Sequence, residues 1–234
     1  MRPKASILIL LIFALLMMLG SGAVAVGGDP QTLFTDNITA TGTSLAVTEM
    51  EQQLLNRLNA ATNSIDAAIY GLDRASIVNA LLAAHNRGRT VRIVADDDAY
   101  NDADYNSHFA ALQVAGISII LDNRSSLMHN KFFVIDGSIV WTGSTNITNT
   151  GFTYNHNNSL VLTSTELADI YETEFDEMYG GLFGTAKMDN TTHTLTYAGF
   201  PLESYFSPSD GVMNEVISEV NAAGLRTATG RLRT

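Results

Sequence analysis

His129-Asn130-Lys131-Phe132-Phe133-Val134-Ile135-Asp136-Gly137-Ser138-Ile139-Val140-Trp141-Thr142-Gly143-Ser144-Thr145-Asn146 is the stretch on which the reading of this chain turns. Two short apolar runs, Phe132–Ile135 and Ile139–Thr142, flank Asp136-Gly137-Ser138, and Asp and Gly are residues that tolerate the positive φ of a tight hairpin turn. Polar residues close both outer ends of this hairpin. His129 and Lys131 are two apart on an extended segment, so their side chains leave on the same face, and Ser144 and Asn146 repeat the spacing. With the two segments as neighbours, an imidazole, an ammonium, a hydroxyl and an amide converge on one point. That combination suits a phosphate group. Lys131 neutralises its oxygens, Ser144 and Asn146 donate hydrogen bonds to them, and a neutral imidazole is a nucleophile that works near neutral pH.

Upstream of this stretch, helical and strand patterns alternate. Residues 48–61 place Met50, Leu54, Leu58 and Ala61 at helical spacing, and residues 64–70 (SIDAAIY) read as a short buried strand. Residues 74–86 predict a second helix closed by Gly88, and residues 90–95 a second strand; a helix over 107–115, Gly116 and a strand over 117–121 repeat the unit. This is the βαβ rhythm of an α/β domain. Downstream, residues 159–163 predict a strand and residues 166–179 a helix, so the central sheet is expected to be mixed. A stretch rich in Gly, Thr and Asn follows, and residues 181–200 read as a linker. Residues 205–223 then echo the start of the chain: Phe206-Ser207-Pro208 answers Phe34-Thr35-Asp36, and Val216–Ala223 (VISEVNAA) answers Leu54–Ala61 (LLNRLNAA). Where the first copy continues into SIDAAIYGL, the second has GLRTATGRLRT, which is basic, weakly apolar and a poor strand. Residues 201–234 therefore read as the truncated start of a second repeat, whose apolar face (Val212, Val216, Ile217, Val220) lacks a partner sheet.

With 46% hydrophobic and 16% charged residues the composition is that of a folded globular protein. A formal charge of −11 excludes a generally basic surface made for nucleic acid or anionic membranes, while leaving room for a local basic pocket. There is no cysteine, which rules out disulfides, thiol catalysis and cysteine-based zinc sites. At the N-terminus, Arg2 and Lys4 precede an apolar run from Ile7 to Leu19, followed by small residues ending Ala23-Val24-Ala25. This is the layout of a signal peptide over residues 1–25, cleaved after Ala25, and it predicts a secreted, periplasmic or extracellular protein with no stable membrane span after cleavage. The apolar run is short against the roughly 20 residues a spanning helix needs.

The strings 129–137 and 141–146 resemble the HKD signature of the phospholipase D superfamily, with His129-x-Lys131-x4-Asp136 followed by Gly143-Ser144-x-Asn146. The resemblance extends from about Leu33 to Ala223 and implies an α/β fold with a phospholipase D-like mixed central sheet flanked by helices on both faces, the HKD domain occupying residues 30–180. It also implies a ping-pong phosphodiesterase needing neither metal nor cofactor. The histidine attacks phosphorus to give a phosphohistidine, and a histidine from a second HKD copy protonates the leaving group and then activates water or an alcohol. Carried over by position, His129 is nucleophile or acid/base, Lys131, Ser144 and Asn146 bind the phosphate within the element that Gly143 opens, and Asp136 is a supporting carboxylate. An Asp in a hairpin turn equally well shapes the turn. Asn157 falls where some single-copy members carry a Glu that orients the histidine, and an amide supplies no charge there. This chain holds one HKD copy where the mechanism uses two histidines, so activity is expected to need a second motif from a partner chain in a homodimer.

His156, in the polar segment after the GSxN element, is a further candidate for the pocket lining. Asp96-Asp97-Asp98 follows a strand and reads as a solvated loop with one member near the pocket rim rather than as a metal site. His85 and His108 read as surface or capping residues, and Trp141 as core. The expected function is an exported phosphodiesterase acting on phospholipid, and hence in lipid degradation. The alternatives are an exported endonuclease of the same superfamily, against which the acidity weighs, and an inactive truncated chain.

Overall fold

The computed structural model describes residues 7–8, 30–35 and 46–228. Most of the expected signal peptide therefore lies outside the described residues. In chain order the elements are β1 (Ile7–Leu8), β2 (Gln31–Phe34), α1 (Glu49–Ala60), β3 (Ser64–Ile69), α2 (Ala75–Asn86), β4 (Thr90–Ala95), α3 (Asp97–Asn101), α4 (Asn106–Val114), β5 (Ser118–Leu121), β6 (Phe132–Ile135), β7 (Ile139–Gly143), α5 (Asn149–Thr153), β8 (Asn158–Thr163), α6 (Thr165–Tyr179), β9 (Thr194–Tyr197), β10 (Phe200–Glu203) and α7 (Val212–Ala228). They fall into two compact units, the larger ending at Phe183 and the smaller running from Gly184 onward and taking in β1.

The larger unit is built on a seven-stranded sheet of order β2-β8-β7-β6-β3-β4-β5. β3, β4 and β5 run parallel, each linked to the next through helix, while β2, β8, β7, β6 and β3 pair antiparallel. The strand at its centre explains the continuous apolar run Phe-Phe-Val-Ile: all of β6 is buried, as a strand covered on both faces must be. On one face Phe133 and Trp141, ring centroids 5.7 Å apart, pack with Leu54 and Leu58 of α1, Leu81 of α2 and Phe109 of α4. On the other, Phe132 meets Tyr171 of α6 edge-on at 5.0 Å. The mixed sheet with helices on both faces is the architecture expected from the sequence.

Local chemistry sets the ends of these elements. Thr48 and Ser164 cap α1 and α6, accepting from the backbone N–H of Glu51 (3.3 Å) and Leu167 (3.2 Å). Between β6 and β7, Asp136 (φ 54°) and Gly137 (φ 58°) occupy the two central positions of a turn closed by Ser138 N–H donating to Ile135 O at 3.2 Å, a twist that matches the flanking strands. A buried ion pair ties α1 to α2: Arg74 donates to both carboxylate oxygens of Glu51, at 2.9 and 2.6 Å, and to Asn149 Oδ1 at 2.9 Å.

Two expectations need correction. The residues read as a linker contain β9 and the start of β10, an antiparallel hairpin turning at Ala198 and Gly199, both at positive φ. Thr194-Leu195-Thr196-Tyr197 alternates as a strand does, and the Gly- and Asn-rich surroundings obscured it. Asp96-Asp97-Asp98 is not a solvated loop either: Asp96 is the buried N-cap of α3 and Asp97 and Asp98 form its first turn. The helical half of the sequence echo, residues 216–223, lies within α7, which continues to Ala228.

Candidate active site

The topology decides which loops meet. The C-terminal ends of β2, β3, β4, β5 and β7 and the N-terminal ends of β6 and β8 all lie at one edge of the sheet, where open α/β sheets place their ligands. His129 to Lys131 enters β6 at this edge, and Gly143 to Asn146 leaves β7 there. Phe132 pairs with Thr142, so Lys131 and Gly143 stand at the same level one residue further on. Tyr70 ends the neighbouring strand on the other side of β6, where Ala68 pairs with Phe132.

His129 is half exposed, and its ring meets Tyr70 edge-on at 4.8 Å. No hydrogen bond to either of its ring nitrogens occurs among the described residues. Partial burial and the neighbouring Lys131 push the imidazole below its ordinary pKa, against an upward pull from Asp96, so the ring is neutral and nucleophilic near neutral pH. Lys131 is 8% exposed, and its ammonium donates to His129 O at 2.8 Å and lies 5.2 Å from the centre of the Tyr70 ring. Burial pulls its pKa down to about 8, with Asp96 acting in the opposite direction. A cation this desolvated gains from an anionic ligand.

Gly143 and Ser144 are held against β8. A Cβ on Gly143 would lie 2.2 Å from Asn158 O and 2.7 Å from Ser159 Cα, so only glycine lets the strands come this close. Ser144 Oγ donates to Asn157 Oδ1 at 3.0 Å and accepts from Asn158 N–H at 3.1 Å. Asn157 is further tied to Gly151 O through Nδ2 (2.9 Å) and to Thr35 Oγ1 through its backbone N–H (3.1 Å). It thus orients Ser144, and no hydrogen bond joins it to His129 among the described residues. Asn146 Oδ1 is buried without a hydrogen-bond partner. An unsatisfied buried amide is rare in folded proteins, and a flip about its last torsion presents two donors to an anion instead.

The structure separates Asp136 from this group. It sits at the opposite end of β6, where its carboxylate accepts from the backbone N–H of Thr62 (2.9 Å), Asn63 (2.7 Å) and Ser64 (3.1 Å) and from the Thr62 hydroxyl (2.9 Å). Burial works upward on its pKa, but these bonds to the ionised form outweigh it and hold the carboxyl below its usual range. Asp136 shapes the turn and anchors the start of β3, and the catalytic role assigned to it from the sequence is withdrawn. His156 is exposed and makes no hydrogen bond or ring contact among the described residues. Trp141 is core, as expected.

Sequence reasoning missed two members of the site, Tyr70 and Gly151, and left open that Asp96 is the member of Asp96-Asp97-Asp98 near it. Tyr70 contacts both His129 and Lys131, and its phenol is raised by burial and then by Asp96, Asp98 and Asp102. Asp96 accepts from the backbone N–H of Met128 at 2.9 Å, directly before His129. At Gly151 a Cβ would lie 2.2 Å from Asn146 O, so this glycine lets α5 close over the Ser144–Asn146 turn. Tyr70 and Asp96 stand at the C-terminal ends of parallel strands, which was the available signal; Gly151 had none. Among the described residues no group of three or more His, Cys, Asp or Glu side chains is arranged to hold a metal ion, and no helix is long and apolar enough to cross a membrane.

Known proteins share this arrangement. The family model described as "Cardiolipin synthase, PLD-like domain" matches residues 54–179, more than half of the chain. The mitochondrial cardiolipin hydrolase of Xenopus laevis is 34% identical over 127 residues, covering 54% of this chain and 60% of that protein. A phospholipase D of Rickettsia conorii is 34% identical over 118 residues, covering 50% of this chain and 58% of that one. The chain therefore spans less than two thirds of these curated relatives. In fold it is similar to Nuc, a phospholipase D family member from Salmonella typhimurium (TM-score 0.58, 23% identity, 65% of this chain and 95% of that one), and to NucT from Helicobacter pylori (TM-score 0.54, 19% identity, 65% and 98%). With the matched segment enclosing His129, Lys131, Ser144 and Asn146 in the fold those residues require, the chain belongs to the phospholipase D superfamily.

Proposed function

We propose that this protein is an exported phosphodiesterase that hydrolyses phospholipid through a phosphohistidine on His129. The observation that carries the reading is one cluster in which a neutral imidazole adjoins a buried ammonium, at the sheet edge where an unpaired buried amide also lies. A ring nitrogen of His129 attacks phosphorus and the bond to the leaving alcohol oxygen breaks, that oxygen taking a proton from a second, protonated histidine. The second histidine, now neutral, removes a proton from water; the hydroxide attacks phosphorus, the phosphorus–nitrogen bond breaks, and His129 is regenerated. Lys131 and Asn146 hold the charge on the phosphoryl oxygens throughout. Ser144, whose proton is directed at Asn157, offers a backbone-braced oxygen until the substrate reorients it. The second histidine comes from the His129 of a second copy across a two-fold axis, since one HKD motif supplies one such group.

The relatives' names support lipid over nucleic acid, as does the acidity of the chain. Purified protein is expected to hydrolyse cardiolipin or phosphatidylcholine vesicles in EDTA, to run as a dimer by light scattering, and to leave plasmid DNA intact. Cleavage of DNA alone makes it a nuclease on the same residues; turnover of neither sinks the proposal. Export is tested by the mature N-terminus in the secreted fraction, expected after Ala25.

A further inference from the structure

We propose that Asp96 is a positioning residue of this site, its carboxylate fixing the backbone directly ahead of His129 from two strands away. Asp96 ends β4, and β3 lies between β4 and β6. One oxygen accepts from Ala99 N–H at 2.9 Å and caps α3; the other accepts from Met128 N–H at 2.9 Å, a residue 32 positions away in the chain. The cap alone accounts for the first bond, since Ser, Thr and Asn serve there equally well. It does not account for the second oxygen or for the burial, which leaves Asp96 1% exposed with no ion-pair partner within 4 Å among the described residues. Isolating a carboxylate in this way is unfavourable unless nearby cationic groups use it.

Those groups are present. Asp96 acts electrostatically on Lys131, on His129 and on Tyr70, raising the pKa of each. Lys131 is faced by His129 from its own segment, by Tyr70 from β3 and by Asp96 from β4. Asp97 on α3 and Asp122 after β5 are the acidic neighbours of Asp96, Asp122 being pushed up to about 6 by burial against the hydrogen bond it accepts from the Asp97 backbone N–H. Asp96 thus opposes, for the ammonium, the effect of a site that strips it of water.

Two variants separate this role from helix capping. Asp96→Ser keeps an acceptor for Ala99 N–H but is uncharged and too short for Met128; Asp96→Asn keeps the shape and loses the charge. In the full-length protein both are expected to lower the NMR-measured His129 imidazole pKa, as removal of a nearby opposite charge does. Both are expected to bring the alkaline limb of turnover to lower pH and to cut kcat at least about tenfold, with KM moving less than about threefold. Wild-type His129 titration and an unmoved alkaline limb in Asp96→Ser, whatever its melting temperature, overturn the proposal and leave a helix cap. The kinetic readouts rest on the phosphodiesterase reading and the imidazole titration does not, so an inactive wild type sinks that reading while the titration still decides this one. Should neither variant fold, amide exchange in the wild type decides: Met128 N–H is expected to be protected well above its neighbours in residues 123–127, and free exchange there removes the clamp.

Discussion

The two ends of β6 carry side chains of opposite charge, Lys131 and Asp136, five residues apart. At the Asp136 end every requirement is met: four donors surround the carboxylate, the turn adopts the positive φ that Asp and Gly allow, and the bonds hold the group ionised. At the Lys131 end requirements are left open. The ammonium is desolvated and rests on a backbone carbonyl, and among the described residues neither the imidazole nitrogens nor Asn146 Oδ1 has a hydrogen-bond partner. A satisfied end adds stability and does no chemistry, whereas an unsatisfied end gives up stability that a ligand's charge restores. The family's motif spans both ends, so its residues serve two different purposes.

Substitutions can break or sharpen this contrast. His129→Ala is expected to lower turnover at least about 10⁴-fold, the loss typical of removing a nucleophile, with an unchanged melting curve. Retained activity, measured at matched protein concentration, removes His129 from the chemistry. Lys131→Met is expected to lower turnover by about 10³-fold, the scale of one transition-state charge contact, and yet to raise stability at pH 7 by about 1 kcal/mol. The sign follows from the depressed pKa: the folded state binds this proton less tightly than the unfolded chain, so the burden is full below about 8 and is relieved as pH rises through 8 toward the unfolded lysine value. A Lys131→Met protein less stable than wild type in urea makes this lysine a structural residue.

Gly143→Ala forces β8 away from β7 and is expected to cost about 3 kcal/mol in denaturant unfolding, with activity falling in step, because this glycine both packs the two strands and opens the turn that carries Ser144 and Asn146. The smallest effect is expected at Asp136. Asp136→Asn, which tolerates the same φ, should lose about 1 kcal/mol and keep turnover within about twofold. Since its folded pKa is lowered, the Asp136 contribution is complete above the unfolded carboxylate value and fades as pH falls through the folded one. Wild type and variant should therefore converge in stability as pH falls below the usual carboxylate range. A large activity loss in Asp136→Asn without a stability change would return this residue to the chemistry and erase the contrast.

Much of this was legible in the sequence because it is local. Apolar periodicity marked α1, α2, α4 and α6, and the hairpin chemistry marked β6 and β7 with the polar residues at their outer ends. Shortness hid the rest. β2 is a four-residue edge strand, α3 and α5 have five residues each, and in segments of that length a period cannot establish itself even where a cap such as Asp96 or Thr148 is in place. Asp136 was ambiguous for a different reason. Its partners Thr62, Asn63 and Ser64 lie 72 to 74 residues upstream, and only the register of β6 on β3 brings them to it. Tyr70 escaped in the same way, and which of Asp96-Asp97-Asp98 reaches the site stayed open, until the sheet order brings β3 and β4 alongside β6.

The turn that follows β7 is stitched to the turn that follows β3. Leu72 bridges to Ile147, Asp73 and Arg74 both donate to Ile147 O, and Asp73 accepts from Asn149 N–H. Two loops joined in this way open together or not at all. Residues 72–74 and 147–149 should therefore behave as one cooperative unit in hydrogen exchange, with matching free energies of opening. A substrate entering this site then meets Tyr70 and Asn146 as parts of one rigid wall, and whatever gating it experiences falls to the segments on the other side, between β5 and β6.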